Sequence, residues 1–108
     1  MQNRLAGDSA LMDDVIRVFL EDLPMRLAEI GEAVTQRNAA NLGAAAHSLK
    51  GAASNLSLGG LFEAARVLEC IGVESRMNAA DAAWRQLSVE ASHVIDVLSR
   101  QLLMNIGK

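Results

Sequence analysis

The sequence has no Tyr, two Phe, one Trp and a single Pro among 108 residues, while Ala and Leu dominate the 51 % that is hydrophobic. Ala and Leu lose little entropy in a helix, whereas aromatic and β-branched residues favour strands, so this balance points to an all-helical chain. The one cysteine, Cys70, has no internal partner for a disulfide, and a reducing compartment is the simpler setting for it. No segment approaches the ~20 apolar residues of a membrane span. The N-terminal MQNRLAGDSALMDD has no apolar central stretch of the kind a secretory signal needs. No run of like charge occurs, and the net charge of -3 argues against a nucleic-acid partner, which calls for a basic face. These absences describe a cytoplasmic protein with no membrane contact.

The length fits one domain, residues 1–108, with a core over about residues 9–105. Asp8 or Ser9 is placed to cap a first helix, and Asp13 and Asp14 suit its positive end. Val15, Ile16, Phe19, Leu20, Leu23, Leu27, Ile30 and Val34 then recur at the steps of one buried helix face. Pro24 falls inside that pattern and implies a kink or a short break between two helices. Arg37-Asn38 reads as a turn, with Asn38 capping a second helix over about 39–56. Its stripe is Leu42, Ala45, Ala46, Leu49, Ala53 and Leu56. Ser57 to Gly60 punctuate the chain before a third helix through Leu61, Ala64, Ala65, Leu68 and Ile71, with Gly72 placed as a left-handed C-terminal cap. After a loop from Val73 to Met77, Asn78 is placed to cap a last helix over about 79–105, with Asp81 in its first turn. Its stripe is Trp84, Leu87, Ala91, Val94, Ile95, Leu98 and Leu102. Short connections between amphipathic helices imply antiparallel neighbours. The expected fold is therefore all-α: an up-down-up-down four-helix bundle with a short N-terminal arm or helix over residues 1–7.

The second helix carries a face of a different kind. At ~100° per residue, Gly51 and Ser54 follow His47 at one and two turns, with Lys50 beside them and Asn55 at the edge. This face opposes the apolar stripe, so His47 points outward. Gly in a helix interior costs ~1 kcal/mol relative to Ala. Clearance beside the imidazole is a reason to tolerate it, because a partner's loop can then approach closely. Lys50 offers a point charge to phosphoryl oxygens and disfavours the imidazolium form of its neighbour. Ser54 and Asn55 can donate hydrogen bonds. Metal ligation would want His, Cys or carboxylate at the third or fourth position after His47, and Lys50 and Gly51 stand there instead.

The segment His47-Ser48-Leu49-Lys50-Gly51-Ala52-Ala53, with Gly59 downstream, resembles the histidine-containing phosphotransfer (HPt) domain of two-component phosphorelays. The motif region is residues 46–60. Phe19, Leu23, Pro24 and Leu27 resemble the family's first long helix, and Leu61, Ala65, Leu68 and Glu69 the helix after the motif. The likeness covers roughly residues 10–102. It implies that His47 accepts a phosphoryl group on its distal ring nitrogen from a receiver-domain aspartyl phosphate. His47 then passes the group to the Asp of another receiver, and the transfer can run in reverse. Lys50 supplies electrostatics and Gly51 clearance. The resemblance further implies a phosphocarrier with no kinase activity and no cofactor of its own, with Mg²⁺ on the partner receiver, and a hybrid sensor histidine kinase as a further partner or parent. The order Ser54-Asn55-Leu56-Ser57 departs from many relatives and bears on partner choice. Ala44, Lys50, Gly51, Ser54 and Asn55 are expected to dock the receiver, flanked by Leu11 and Met12, with the chain itself a monomer.

The remaining singular residues have plainer roles. His93 has no motif around it, Trp84 reads as an anchor of the bundle end, and Cys70 as core or near-core. Arg66 and Arg85 read as solvated, and the scattered Met residues as filling. Two other functions compete with phosphotransfer. A haem-binding bundle with His47 or His93 and a Met as axial ligands lacks an attachment motif and needs His47 to point inward. A docking module that takes no phosphoryl group would bind receivers without the imidazole.

Overall fold

The computed structural model describes the backbone of residues 2–106 and the side chains of residues 11–104. Four helices follow one another: α1 (Gln2–Thr35), α2 (Ala39–Asn55), α3 (Gly59–Val73) and α4 (Ala80–Ile106), with a 3₁₀ turn, Met77–Ala79, before the last. Each packs against its chain neighbours and α4 closes back on α1, which is the expected antiparallel four-helix bundle. At ~1.5 Å per residue α1 is about 51 Å long, and the whole molecule measures 51 × 21 × 19 Å. One helix therefore spans the long axis, and α2 and α3 form a shorter hairpin against α1 and α4.

The core follows the periodic stripes. Ile16, Leu23, Ile30, Leu42, Leu49, Leu61, Leu68 and Leu87 are the largest side chains that are fully buried. Ala46, Ala53 and Ala65, also fully buried, let the helix backbones draw close. Among the described residues no polar or charged side chain is buried, so any chemistry lies on the surface of the bundle.

Three connections share one construction. Arg37, Ser57 and Ser75 have φ of 57, 56 and 56°, in the left-handed region. Each follows a helix end and closes it with a pair of backbone bonds. After α2, for instance, Leu58 N–H donates to Ala53 O at 3.0 Å and Ser57 N–H to Ser54 O at 3.1 Å. This is the Schellman arrangement, here without glycine. At the start of α2, Asn38 caps as expected, its side-chain oxygen accepting from Asn41 N–H at 3.0 Å.

Several expectations are corrected. The N-terminal segment is helical from Gln2 and continuous with α1, so Asp8 and Ser9 are not at a helix start; their side chains lie outside the described ones. Pro24 sits inside α1 without ending it, so the alternative of two separate helices does not hold. Its missing N–H removes one helical bond, and Leu23 and Ile30, both fully buried, hold the helix to the core on either side. Gly72 is buried within α3, and Ser75 takes the left-handed position instead. Asn78 lies in the 3₁₀ turn, two residues before α4 begins. Ala45, Leu56, Trp84 and Leu102 are only partly buried against the core, and Ile95 is exposed.

Candidate functional site

His47 stands on α2 between two buried residues of the stripe, Ala46 and Leu49, and its side chain is 69 % exposed. Its outward direction follows from the helix period: with Leu42, Ala46, Leu49 and Ala53 in the core, position 47 falls on the shoulder facing solvent and α3. Gly51, one turn on, has nothing within 4 Å of where a Cβ would stand. Gly31 and Gly60 have an internal reason to lack a side chain, since a Cβ on Gly31 would meet the Trp84 ring at 2.9 Å and one on Gly60 the Glu90 carboxylate, whereas Gly59, at the first turn of α3, is as open as Gly51. Gly51 has no such reason, so its helix penalty is offset by no packing inside the chain, and the room it leaves opens outward beside His47.

Across from His47 lies a residue the reading of the sequence left without a site role. Glu69 on α3 sets Oε2 2.7 Å from His47 Nδ1 and Oε1 2.7 Å from Lys50 Nζ. The hydrogen bond from Lys50 does most to hold the Glu69 carboxyl below the usual carboxylate range; desolvation opposes this, and the bond with His47 reinforces it. An ionised carboxylate only accepts, so the contact places a proton on His47 Nδ1, and in the neutral ring the lone pair is then on Nε2. The distal nitrogen is thus the one turned away from α3, and the contact with Glu69 sets the ring's orientation.

Lys50 differs from its expected place. Its side chain is only 25 % exposed and reaches over to α3, so its charge is paired with Glu69 rather than standing free on the open face. The reason is angular: position 50 lies nearer the core than position 47 and leans toward α3. On the opposite shoulder, Arg26 of α1 donates from Nη1 to Ser48 Oγ at 2.5 Å.

Ala44, Gly51, Ser54 and Asn55 are exposed along the outer line of α2. Asn55 borders a shallow depression between α1 and α2 with Val15, Val18, Asp22 and Arg26. Val15 and Val18 are exposed, and Leu11, one turn before Val15, is 63 % exposed, with Met12 at its edge. Val15 and Val18 thus border the α2 face, while Leu11 and Met12 are exposed on the preceding turn of α1. His93 is exposed on α4, and neither histidine points into the bundle, which removes the geometry a haem site between the helices requires. Cys70 is partly buried and Trp84 packs beside Gly31, both in keeping with structural roles. Among the described residues no three His, Cys, Asp or Glu side chains gather as a metal site, and no helix is long and apolar enough to cross a membrane.

The signal for Glu69 lies in the register. Leu58, in the α2–α3 turn, is midway between His47 and Glu69 in sequence. Residues equidistant from the turn of an antiparallel helical hairpin stand at one level, so a polar residue at position 69 faces position 47.

Comparison with known proteins agrees with the fold. The fold resembles the crystal structure of histidine-containing phosphotransfer protein B (HptB) from Pseudomonas aeruginosa PAO1, with a TM-score of 0.83 and 24 % identity over 96 % of this chain and 94 % of that one. No curated protein matches the chain in sequence. The Hpt domain pattern matches residues 14–103, and the chain belongs to the Hpt domain family, the histidine phosphotransfer domains of phosphorelays.

Proposed function

We propose that His47 is the phosphoacceptor of a phosphorelay carrier, taking a phosphoryl group from the aspartyl phosphate of one receiver domain and passing it to the Asp of another, reversibly. The observation that carries the proposal is the Glu69–His47 contact at 2.7 Å, which directs Nε2 to solvent beside the opening left by Gly51.

In the forward step the Nε2 lone pair attacks phosphorus. An N–P bond forms, the P–O bond to the aspartate breaks, and the aspartate leaves as a carboxylate with the bonding pair. The ring keeps its Nδ1 proton and becomes cationic, and the Glu69 carboxylate stabilises that charge as the orienting acid of a catalytic triad does. Lys50 holds the other Glu69 oxygen, so the carboxylate stays ionised and in place. Its electrostatic role in this reading acts through Glu69. Reversal uses the same groups. The domain has no kinase activity; Mg²⁺ belongs to the partner receiver, and positioning and charge neutralisation make up most of such a transfer.

The receiver docks on Ala44, Gly51, Ser54 and Asn55, flanked by Leu11 and Met12, a small transient contact. The chain acts as a monomeric single domain in the cytoplasm, with a hybrid sensor histidine kinase as donor or parent. Incubation with a phosphorylated receiver and Mg²⁺ tests this reading. Acid-labile, base-stable label is expected on the native chain and none on His47→Gln; equal label on both overturns the assignment. A docking module without chemistry would bind the receiver and stay unlabelled.

A further inference from the structure

The backbones of α2 and α3 make a close approach near the His47–Glu69 contact. Gly43 precedes His47 by one turn on α2, and Gly72 follows Glu69 by three residues on α3. A Cβ on Gly72 would stand 2.5 Å from Gly43 N, 2.7 Å from Gly43 Cα and 2.8 Å from Ala39 O. All three atoms are backbone, so no side chain can swing aside. At Gly31 and Gly60, by contrast, the obstructing atoms belong to the side chains of Trp84 and Glu90. The crossing is also asymmetric. A Cβ on Gly43 would lie 3.6 Å from Val73 N, an ordinary contact.

We propose that Gly72 is a positioning residue for phosphotransfer: its missing side chain sets the α2–α3 separation at which Glu69 reaches both His47 and Lys50. The proposal rests on the phosphoacceptor reading of His47. Glu69 bridges the two helices, and both of its partners are on α2 at 2.7 Å. Relieving a backbone contact of 2.5 Å to the ~3.5 Å of normal packing opens the crossing by on the order of 1 Å. That displacement takes both contacts beyond the range of a good hydrogen bond. His47 then loses the partner that fixes its Nδ1 proton, and Nε2 loses its preference as the free nucleophile. The bundle can survive this, because the buried Leu42, Leu49, Leu61 and Leu68 hold the same helix pair elsewhere.

Long-range ¹⁵N–¹H correlation spectra of the full chain read the His47 tautomer with no donor present. The native chain is expected in the Nδ1–H form, and Gly72→Ala shifted toward the Nε2–H form that free imidazole prefers. Gly43→Ala is expected to stay native-like. Transfer from a phosphorylated receiver should slow by roughly ten- to a hundredfold in Gly72→Ala, the scale of a 1 Å misplacement. Adding Gly72→Ala to Glu69→Ala should then slow transfer no further, since both act through one contact. A native tautomer in Gly72→Ala, or a Gly72→Ala effect that multiplies in full on the Glu69→Ala background, overturns the proposal. If Gly72→Ala does not fold, Gly43→Val wedges the same crossing from α2, and retention of the Nδ1–H form there overturns it equally. A native chain that takes no phosphoryl group contradicts the carrier reading and leaves the tautomer result standing.

Discussion

Nδ1 of His47 and Oε2 of Glu69 lie 2.7 Å apart across the α2–α3 crossing, with the imidazole mostly exposed and the carboxylate mostly covered. One ring nitrogen is held by the fold and the other faces solvent. Glu69→Ala should therefore leave a folded bundle that transfers more slowly, by about 10²-fold if orientation follows the usual scale. Single-turnover rates with a phosphorylated receiver check this. A rate equal to the native one would remove Glu69 from the mechanism.

The Lys50–Glu69 pair gives a pH dependence of known sign. The Glu69 carboxyl is held low, first by Lys50 and then by His47. The pair's stabilisation is thus present above the ordinary carboxylate range and is lost as pH falls through the lowered folded value. Lys50→Gln should raise the midpoint at which Glu69 protonates, so the acid-side loss begins at higher pH. A carboxyl ¹³C titration of Glu69 in native and variant chains reads that midpoint. An unchanged midpoint would show that Lys50 does not hold the carboxylate.

Gly51 separates transfer from stability. With open space at its Cβ position, Gly51→Gln should keep the fold and gain up to ~1 kcal/mol in helix propensity. It should still slow transfer, by obstructing the partner's approach to Nε2. Thermal melts and transfer rates measured on one sample test both halves; a full transfer rate would contradict the clearance argument.

The left-handed serines make the reverse kind of site. Ser75 closes α3 with φ of 56° and pays a penalty that glycine does not. Ser75→Gly should raise stability by about 1 kcal/mol, and urea denaturation measures the gain. A core change gives the scale: Leu49→Ala, at a fully buried position, should lose ~2–5 kcal/mol.

The helices and their buried faces were legible in the sequence because Leu42, Leu49, Leu61, Leu68 and Leu87 repeat at the helical period. His47 and Gly51 were legible because each breaks its local pattern, one as a polar group beside a buried stripe and the other as a helix penalty. Glu69 was less so, since its role depends on which α3 residue stands level with His47, a property of the hairpin rather than of either helix. Gly72 was misread for a related reason: a glycine after a periodic stretch looks the same whether it caps a helix or admits another backbone. Asn78 has the composition of a cap, yet the 3₁₀ turn placed the start of α4 beyond it. Asn38 fulfilled that role because the preceding turn through Arg37 leaves its side chain at the first free N–H groups of α2.

The most direct measurement is the chemical position of the phosphoryl group on the labelled chain. Phosphorus–nitrogen correlation on chain phosphorylated by a receiver should place it on Nε2 of His47, with the proton retained on Nδ1 toward Glu69. A phosphoryl group on Nδ1, on His93, or on no histidine would contradict the account.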